Sequence, residues 1–523
     1  MSSNARFALA FLLFAPPLAA QLESPPVQLW NEGSPELLSS LQADAHFGWA
    51  LAAGDFDCDG FDDLAVGVPD DDDQLGAVAD VGYVMVLYGG EAGLSAAGHQ
   101  LWDQQSLAAA EEEAGDRFGE ALATGDFDGD GCADLAIGIS SEDIGTVTNA
   151  GAIQILYGSP SGLTATGNTF FRQGAGGISA NPEPYDYFGQ SLAAGDFDAD
   201  GFDDLAIGAP GEDIEAATVD GAGAVHVLFG SAASGLTGTG DLVLFRGNGL
   251  PGAPEEDELL GFSLAAGNFN YLFSGDELAV GAVFSAASGS APDGGRVLVL
   301  SNLAGAILAA EYTQDSAGVP GVAEGSDAFG WALAAGDFDG NGVDELAVGV
   351  PNEDDEGAGE LQVGCVNVLD FDGGPHQLWL QEDLNPEHTE EYDRFGSMLA
   401  TGDFDADGAD DLVIGVSQED LGPLVDAGLV HVVHGEPVTG LSAARDQIWL
   451  QALDPSEQDD GFGFGLAAGR FSGHSGMDLA IGAPYDALAG FAEAGAVNVF
   501  HSAALLRDGF ESGDAARWSS VEP

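Results

Sequence analysis

The chain repeats one pattern seven times, and that repeat decides what it can fold into. FGWALAAGDFDCDGFDDLAVGVP, starting at Phe47, returns in recognisable form from Phe118, Phe188, Leu260, Phe329, Phe395 and Phe462. The glycine ahead of each acidic loop marks the period: Gly54, Gly125, Gly195, Gly267, Gly336, Gly402 and Gly469, in steps of 66 to 72 residues. A unit of this size cannot bury its own faces and must stack on its neighbours.

Each unit carries four short strand patterns. FGxxLAAG gives strand A and DLAVG gives strand B. Strand C is a glycine followed by alternating apolar residues, as in GYVMVLYG from Gly82 and GAVNVFHS from Gly495. Period-two alternation marks a half-buried strand. Strand D follows, with Trp30, Trp102, Trp379 and Trp449 in four of the units. No segment of useful length has a helical period. The predicted fold is all-β: a seven-bladed β-propeller of four-stranded antiparallel blades. VQLW at Val27–Trp30 precedes the first strand A, and no D-type run follows the seventh strand C. The N-terminal strand is therefore expected to complete the last blade and close the ring, which removes a free edge. An open solenoid or a string of small domains is the alternative.

Composition narrows the partners. The chain has 523 residues, 88 acidic against 10 basic, with no lysine and a net charge of −78. Such a surface repels phosphate backbones and anionic lipid, so neither nucleic acid nor an anionic membrane surface is an expected partner. The 45% hydrophobic content is that of a globular chain, not a disordered one. In residues 1–20, Arg6 precedes an apolar run from Phe7, and Ala19 and Ala20 close it. That is the order of a secretory signal, with an uncut anchor as the alternative. The expected domains are a signal peptide over 1–20, the propeller over 21–503 and a C-terminal tail over 504–523. The expected location is secreted, extracellular or cell-surface. No later stretch reaches the ~20 apolar residues of a membrane helix.

Between strands A and B, five units carry D-x-D-x-[DN]-G-x-x-[DE]. The candidate metal ligands are Asp55, Asp57, Asp59 and Asp63 in blade 1, and Asp126, Asp128, Asp130 and Asp134 in blade 2. Blade 3 offers Asp196, Asp198, Asp200 and Asp204. Blade 5 offers Asp337, Asp339, Asn341 and Glu345, and blade 6 offers Asp403, Asp405, Asp407 and Asp411. Alternate carboxylates on a tight loop with glycine at position six wrap oxygen around one hard cation. Oxygen donors without His or Cys favour Ca2+, at about five sites. An EF-hand would need Glu at position twelve and flanking helices; Val66, Ile137, Ile207, Val348 and Ile414 stand there, inside strand B. A solvated acidic turn without metal is the bland alternative. Blade 4 (Asn268, Asn270, Leu272) and blade 7 (Arg470, Ser472, His474, Asp478) depart from the pattern and are not expected to bind Ca2+. In blade 7 the Arg470 guanidinium is expected to replace the ion by pairing with Asp478. Cys58, Cys132 and Cys365 are too few for a disulfide framework. Cys58 and Cys132 lie in neighbouring metal loops but at different loop positions, so a bond between them is an open alternative rather than the expectation.

These residues resemble the FG-GAP repeats of the integrin α-subunit N-terminal propeller. FG is Phe47–Gly48 and its copies. GAP stands at 208–210 and 482–484, with GVP at 67–69 and 349–351. The resemblance covers roughly residues 27–503. It implies metal loops on one face of the ring and partner-binding B–C and D–A loops on the other. No integrin leg region, membrane helix or cytoplasmic tail is recognised, so receptor signalling is not expected to carry over. The chain looks more like stand-alone exported bacterial proteins of this type, and DGFESGDAARW at 508–518 is similar to a tail of many such proteins.

The B–C loops hold a second acidic set: residues 70–73, Glu142 and Asp143, Glu212 and Asp213, residues 353–356, and Glu419 and Asp420. Blades 4 and 7 are poorer in acid there. A partner is expected to approach along these two blades, where desolvation costs less; drift in two degenerate repeats is the plainer account. No nucleophile elbow, HExxH or CxxC motif is present. His226 and His431 share one strand C position and look like packing residues, and the adjacent Glu387 and His388 are too weak a pair to support catalysis. The expected function is a non-catalytic, secreted, calcium-binding module for a protein or glycan ligand, in adhesion or surface assembly. An extracellular hydrolase or lyase with its site in the propeller channel is the alternative.

Overall fold

The computed structural model describes residues 27–502, apart from residues 36, 38, 40 and 233 and the short stretches 73–77, 108–111, 215–217, 271–273, 286–292, 355–360, 385–389 and 452–456. The expected signal and tail lie outside the described residues. So do Leu272, Glu387, His388 and parts of the blade 1, 4 and 5 B–C loops.

Seven antiparallel sheets follow one another in chain order, each in the order A-B-C-D. Blade 1 is Leu51–Gly54, Asp63–Val68, Tyr83–Tyr88 and Ser95–Trp102. The other blades repeat it, and blade 3 adds a short fifth strand, Gly249–Leu250. The A strands of adjacent blades contact one another all the way round, so they form the inner wall of a closed ring. Every strand B is buried along its whole length. Two single helical turns, Gln104–Leu107 and Gln381–Leu384, follow D strands where no helix was expected.

The ring closes as the sequence predicts. Val27–Trp30 pairs antiparallel with Ala496–Phe500, Val27 opposite Phe500 and Trp30 opposite Val497. The Gln28 side-chain amide ties this strand to blade 1: its Nε2 donates to the Leu94 carbonyl at 2.7 Å, and its Oε1 accepts the Leu94 N–H at 2.9 Å.

The core is a set of layers between blades. Val84, Val86 and Phe56 of blade 1 pack on Phe118, Leu135 and Ile137 of blade 2. Val497, Val499 and Phe471 of blade 7 pack on Leu64, Val66 and Met85 of blade 1. Two phenylalanines recur in nearly every blade, one in FG and one in the acidic loop, and both are fully buried. Removing such a ring costs about 3–5 kcal/mol.

The two glycines of the repeat have a steric reason. The FG glycine Gly48 takes φ +93°, a left-handed conformation, and turns its carbonyl toward the preceding blade. There it meets Gly482: a Cβ on Gly482 would lie 2.2 Å from the Gly48 oxygen. The same approach joins Gly67 to the Gly119 oxygen at 2.1 Å. The motif is thus a backbone-to-backbone contact between blades, and blade 7 to blade 1 uses it like the others.

Candidate metal centres

The A–B loops are shaped by their own backbone before any ion is considered. In blade 1, Asp55 Oδ1 accepts the Asp59 N–H and Oδ2 accepts the Gly60 N–H, both at 2.9 Å. Asp59 Oδ1 accepts the Phe61 N–H at 3.0 Å. Asp63, the first residue of strand B, is fully buried. Its Oδ2 accepts the Phe56 N–H at 2.9 Å and its Oδ1 the Gly89 N–H at 2.8 Å. Gly60 sits at φ +96° with open space around it, so conformation rather than room requires glycine at position six.

The structure gathers positions one, three and nine. Asp55, Asp57 and Asp63 bring ligand oxygens within 4.8 Å of one another, as do Asp126, Asp128 and Asp134, and Asp196, Asp198 and Asp204. Asp59, Asp130 and Asp200, at position five, are exposed at the loop rim. In blade 5, Asp337, Asp339, Asn341 and Glu345 repeat the bonding scheme of blade 1, with Glu345 Oε2 accepting the Phe338 N–H at 2.9 Å. Burial, with a further push from the neighbouring carboxylates, raises Asp63, Asp134, Asp204 and Glu345 to about 8. Asp126 Oδ1 is buried with no hydrogen-bond partner among the described residues. Buried, crowded carboxylates with an orphaned oxygen are what a hard cation satisfies, and all donors are oxygen, so the residues fit Ca2+.

The remaining blades answer the same charge problem with protein groups. In blade 4, the Asn270 amide donates to Glu277 Oε1 at 2.6 Å. In blade 6, Asp403, Asp405, Asp407 and Asp411 keep the loop shape. There the Arg445 guanidinium holds Asp405, and His434 Nδ1 lies 3.0 Å from Asp411. Blade 6 therefore differs from the other predicted metal loops: two side chains already compensate its carboxylates.

Blade 7 corrects the expectation for Arg470. Arg470 is exposed and makes no ion pair with Asp478 among the described residues; its backbone N–H donates to Asp62 Oδ2 at 2.7 Å. Asp55, Asp126 and Asp196 at this position turn toward the start of strand B, whereas the Arg470 side chain is exposed. The group that faces Asp478 is His501, at 3.1 Å. One position decides this. The residue that ends strand C or directly follows it is Tyr88, Tyr157 or Phe229 in blades 1 to 3, but His434 in blade 6 and His501 in blade 7. Aligning strand C ends, rather than only the acidic loops, would have found it.

A disulfide joins Cys58 and Cys132, with Cα atoms 4.9 Å apart, against expectation. Adjacent loops are staggered: the Ala133 N–H at position eight of blade 2 donates to the Asp55 carbonyl at position one of blade 1, at 2.9 Å. That offset brings position four of one loop to position seven of the next. Cys365 is buried and free.

The opposite end of the ring holds a second repeated constellation. A glutamine after strand D meets a buried carboxyl of the next blade's B–C loop: Gln104 on Glu142 at 2.7 Å, Gln173 on Glu212 at 2.6 Å, Gln381 on Glu419 at 2.6 Å. A second buried acid two residues before FG (Asp116, Asp186, Asp393) stands beside each. Burial, then the neighbouring Asp393, pushes Glu419 up to about 9. The sequence shows these B–C acids but not that they are interior. His226 and His431 are buried, bonded to Asp241 and Asp446, and pack edge-on against Phe188 and Phe395.

Half-buried aromatic residues lie at the mouth of the ring on this end. Trp49 stands against Phe464 at 4.6 Å, and Phe262 against Trp331 at 4.8 Å. The Arg117 guanidinium lies 4.9 Å over Trp49 and grips Asp70 with Nε at 2.7 Å and Nη2 at 3.1 Å.

Fold and loops together define a seven-bladed propeller with acidic hairpin loops on one face. Five segments, 47–87, 118–156, 188–228, 329–363 and 395–433, match the FG-GAP repeat model. They are the five blades with complete acidic loops, and the chain is an FG-GAP repeat β-propeller. It is 34% identical over 167 residues to the phosphatidylinositol-glycan-specific phospholipase D of Rattus norvegicus, covering 32% of this chain and 19% of that protein. It is 35% identical over 179 residues to integrin alpha-5 of Xenopus laevis, covering 34% of this chain and 16% of that one. With integrin alpha-PS2 of Drosophila melanogaster the identity is 32% over 191 residues, covering 36% and 13%. The matched region spans less than a fifth of these relatives' length.

Proposed function

We propose that this propeller is an extracellular, calcium-loaded, non-catalytic binding module for a protein or glycan. One observation carries the reading. In blades 4, 6 and 7 the buried carboxylate at the start of strand B meets a protein side chain, Asn270, His434 or His501, whereas among the described residues Asp63, Asp134, Asp204 and Glu345 meet no cationic side chain. Ca2+ supplies the missing charge in blades 1, 2, 3 and 5. Blade 6 is the weakest fifth site, because an ion there competes with Arg445. The ion is structural: binding to the folded state alone stabilises by about 2.7 kcal/mol per site at a hundredfold excess over Kd.

The partner face is the B–C and D–A end, where aromatic pairs stand at the junctions of blades 7 and 1 and of blades 4 and 5. These junctions include the two blades with degenerate metal loops. Aromatic residues beside an anchored arginine are the surface type enriched at binding hot spots. The disulfide suits an oxidising compartment. Relatives of two kinds, integrins and a phospholipase D, share the repeats, and the repeats are common to both. The test is a melt with and without chelator, followed by glycan-array and pull-down binding with and without Ca2+. A large fall in Tm and calcium-dependent capture are expected. An unchanged Tm sinks the calcium reading, and turnover of a phosphodiester or glycoside sinks the non-catalytic one.

A further inference from the structure

The A–B loop of blade 7 has lost the oxygen set but not the geometry of a site. Position one is Arg470, position three is Ser472, and His474 stands at position five, while Asp478 remains at position nine. His501, directly after strand C, adds a second imidazole. The ligand atoms of His474, Asp478 and His501 lie within 4.8 Å of one another. Asp478 and His501 are 0% and 1% exposed.

The cluster is unsatisfied. Asp478 Oδ1 is held by the Ser502 N–H at 2.7 Å, but Oδ2 has no hydrogen-bond partner among the described residues. Both ring nitrogens of His501 are buried and unpartnered as well; its Nδ1 approaches Asp478 Oδ2 to 3.1 Å without hydrogen-bonding alignment. The contact between Asp478 Oδ2 and His501 leaves all three buried atoms without a hydrogen bond among the described residues, and such atoms are costly unless something binds them. His474 is already oriented: its Nδ1 is 2.7 Å from Ser472 Oγ, which leaves Nε2 free as a ligand.

We propose that blade 7 carries a transition-metal site, of Zn2+ type, formed by His474, Asp478 and His501, in the place where other blades carry oxygen-only loops. Two imidazoles and a monodentate carboxylate are a borderline-soft set that takes Zn2+ and neglects Ca2+. Three protein ligands leave one position for water or an acid at the rim, where the Glu91 carboxylate lies against Gly473. The site joins the start of strand B to the end of strand C in the closing blade. His501 follows Phe500, the partner of Val27, and packs against Gly93 of blade 1. Metal there fastens the sheet that closes the ring.

The test uses the full, untagged chain, stripped with chelator and reloaded with excess Ca2+. Calorimetric titration with Zn2+ is expected to show one further ion per chain that excess Ca2+ does not displace. Co2+ in its place should give the visible absorption of a low-coordinate nitrogen-ligated ion. His474→Ala changes an exposed residue, so folding is expected to survive. It should weaken Zn2+ binding at least tenfold and erase the Co2+ band while leaving the Ca2+ titration unchanged. Ser472→Ala should weaken binding by a smaller factor. Absence of Zn2+ binding to Ca2+-loaded protein overturns the proposal, as does equal binding by the wild type and His474→Ala. Because Ca2+ is titrated separately, neither result bears on the calcium reading of blades 1, 2, 3 and 5.

Discussion

Gly482→Ala puts the contact between blades to a direct test. A Cβ there would lie 2.2 Å from the Gly48 oxygen, 3.1 Å from its carbonyl carbon and 3.4 Å from the Gly465 Cα. All three are backbone atoms, two in the turn before strand A of blade 1 and one in strand A of blade 7, so no side chain can swing away. Relief requires blade 7 and blade 1 to part by about 1 Å, and a gap of that order forfeits up to about half the dispersion energy of the contacts it spans. The layer it opens holds Phe47, Phe471, Val66, Val497 and Met85, all fully buried. Overpacking of this kind costs about 1–3 kcal/mol, and the rigid surroundings place Gly482→Ala at the top of that range. With about 2 cal/mol/K of unfolding entropy per residue, a domain of this size loses about 3 °C in Tm for 3 kcal/mol. Calorimetry or a fluorescence melt reads the shift. Gly67→Ala, facing the Gly119 oxygen at 2.1 Å, should cost a similar amount. Only Gly482→Ala acts at the closure, so it alone should speed proteolysis of the N-terminal strand. An alanine at 482 that leaves Tm within half a degree of wild type would refute the claim that this glycine exists for close approach.

Other substitutions follow from charge. Arg445→Gln frees Asp405, and Ca2+ calorimetry should then show a tighter blade 6 site, by about tenfold, with overall Tm in chelator lowered. The folded Glu419 carboxyl sits at about 9, above its unfolded value. Its contribution to stability is therefore complete below about pH 4 and is lost as pH rises through 9. Melts in saturating Ca2+ should fall between pH 7 and 9, and Glu419→Gln, which keeps the hydrogen-bonding shape without a proton to lose, should flatten that fall. Reduction of the disulfide linking Cys58 and Cys132 should loosen both loops it joins, read as weaker Ca2+ binding in blades 1 and 2 and an unchanged response in blades 3 and 5.

Much of this architecture is legible in the sequence because the repeat is long and nearly complete. Strands A, B and C recur with their turns, and the VQLW run ahead of the first unit announces the closing strand. The acidic loops are legible for the same reason, since carboxylates at alternate positions with glycine at six are a local pattern. What escaped was set by neighbours in space. The bond between Cys58 and Cys132 depends on a stagger between adjacent loops that no single loop displays. The role of His501 depends on the end of strand C arching over the start of strand B, about two dozen residues earlier in the chain. One loop holds both Arg470 and Asp478, so the sequence pairs them; in the structure Arg470 is exposed and His501 faces Asp478 instead. The glutamine–carboxyl constellation joins three elements from two blades, and only its B–C acids stood out along the chain.

Pairing Val27 with Phe500 has a consequence for how the molecule comes into being. The strand that locks the last blade is synthesised ahead of the seven units and must wait, unpaired, until strand C of the seventh has left the ribosome. Until then blade 1 presents its side of an apolar layer to solvent, and blade 7 cannot complete its sheet. The final act of folding is thus a long-range capture, made slow by the span of chain it closes. Once the latch is seated, local fraying at either end of the propeller must first break the other's edge, so the first and last strands protect each other.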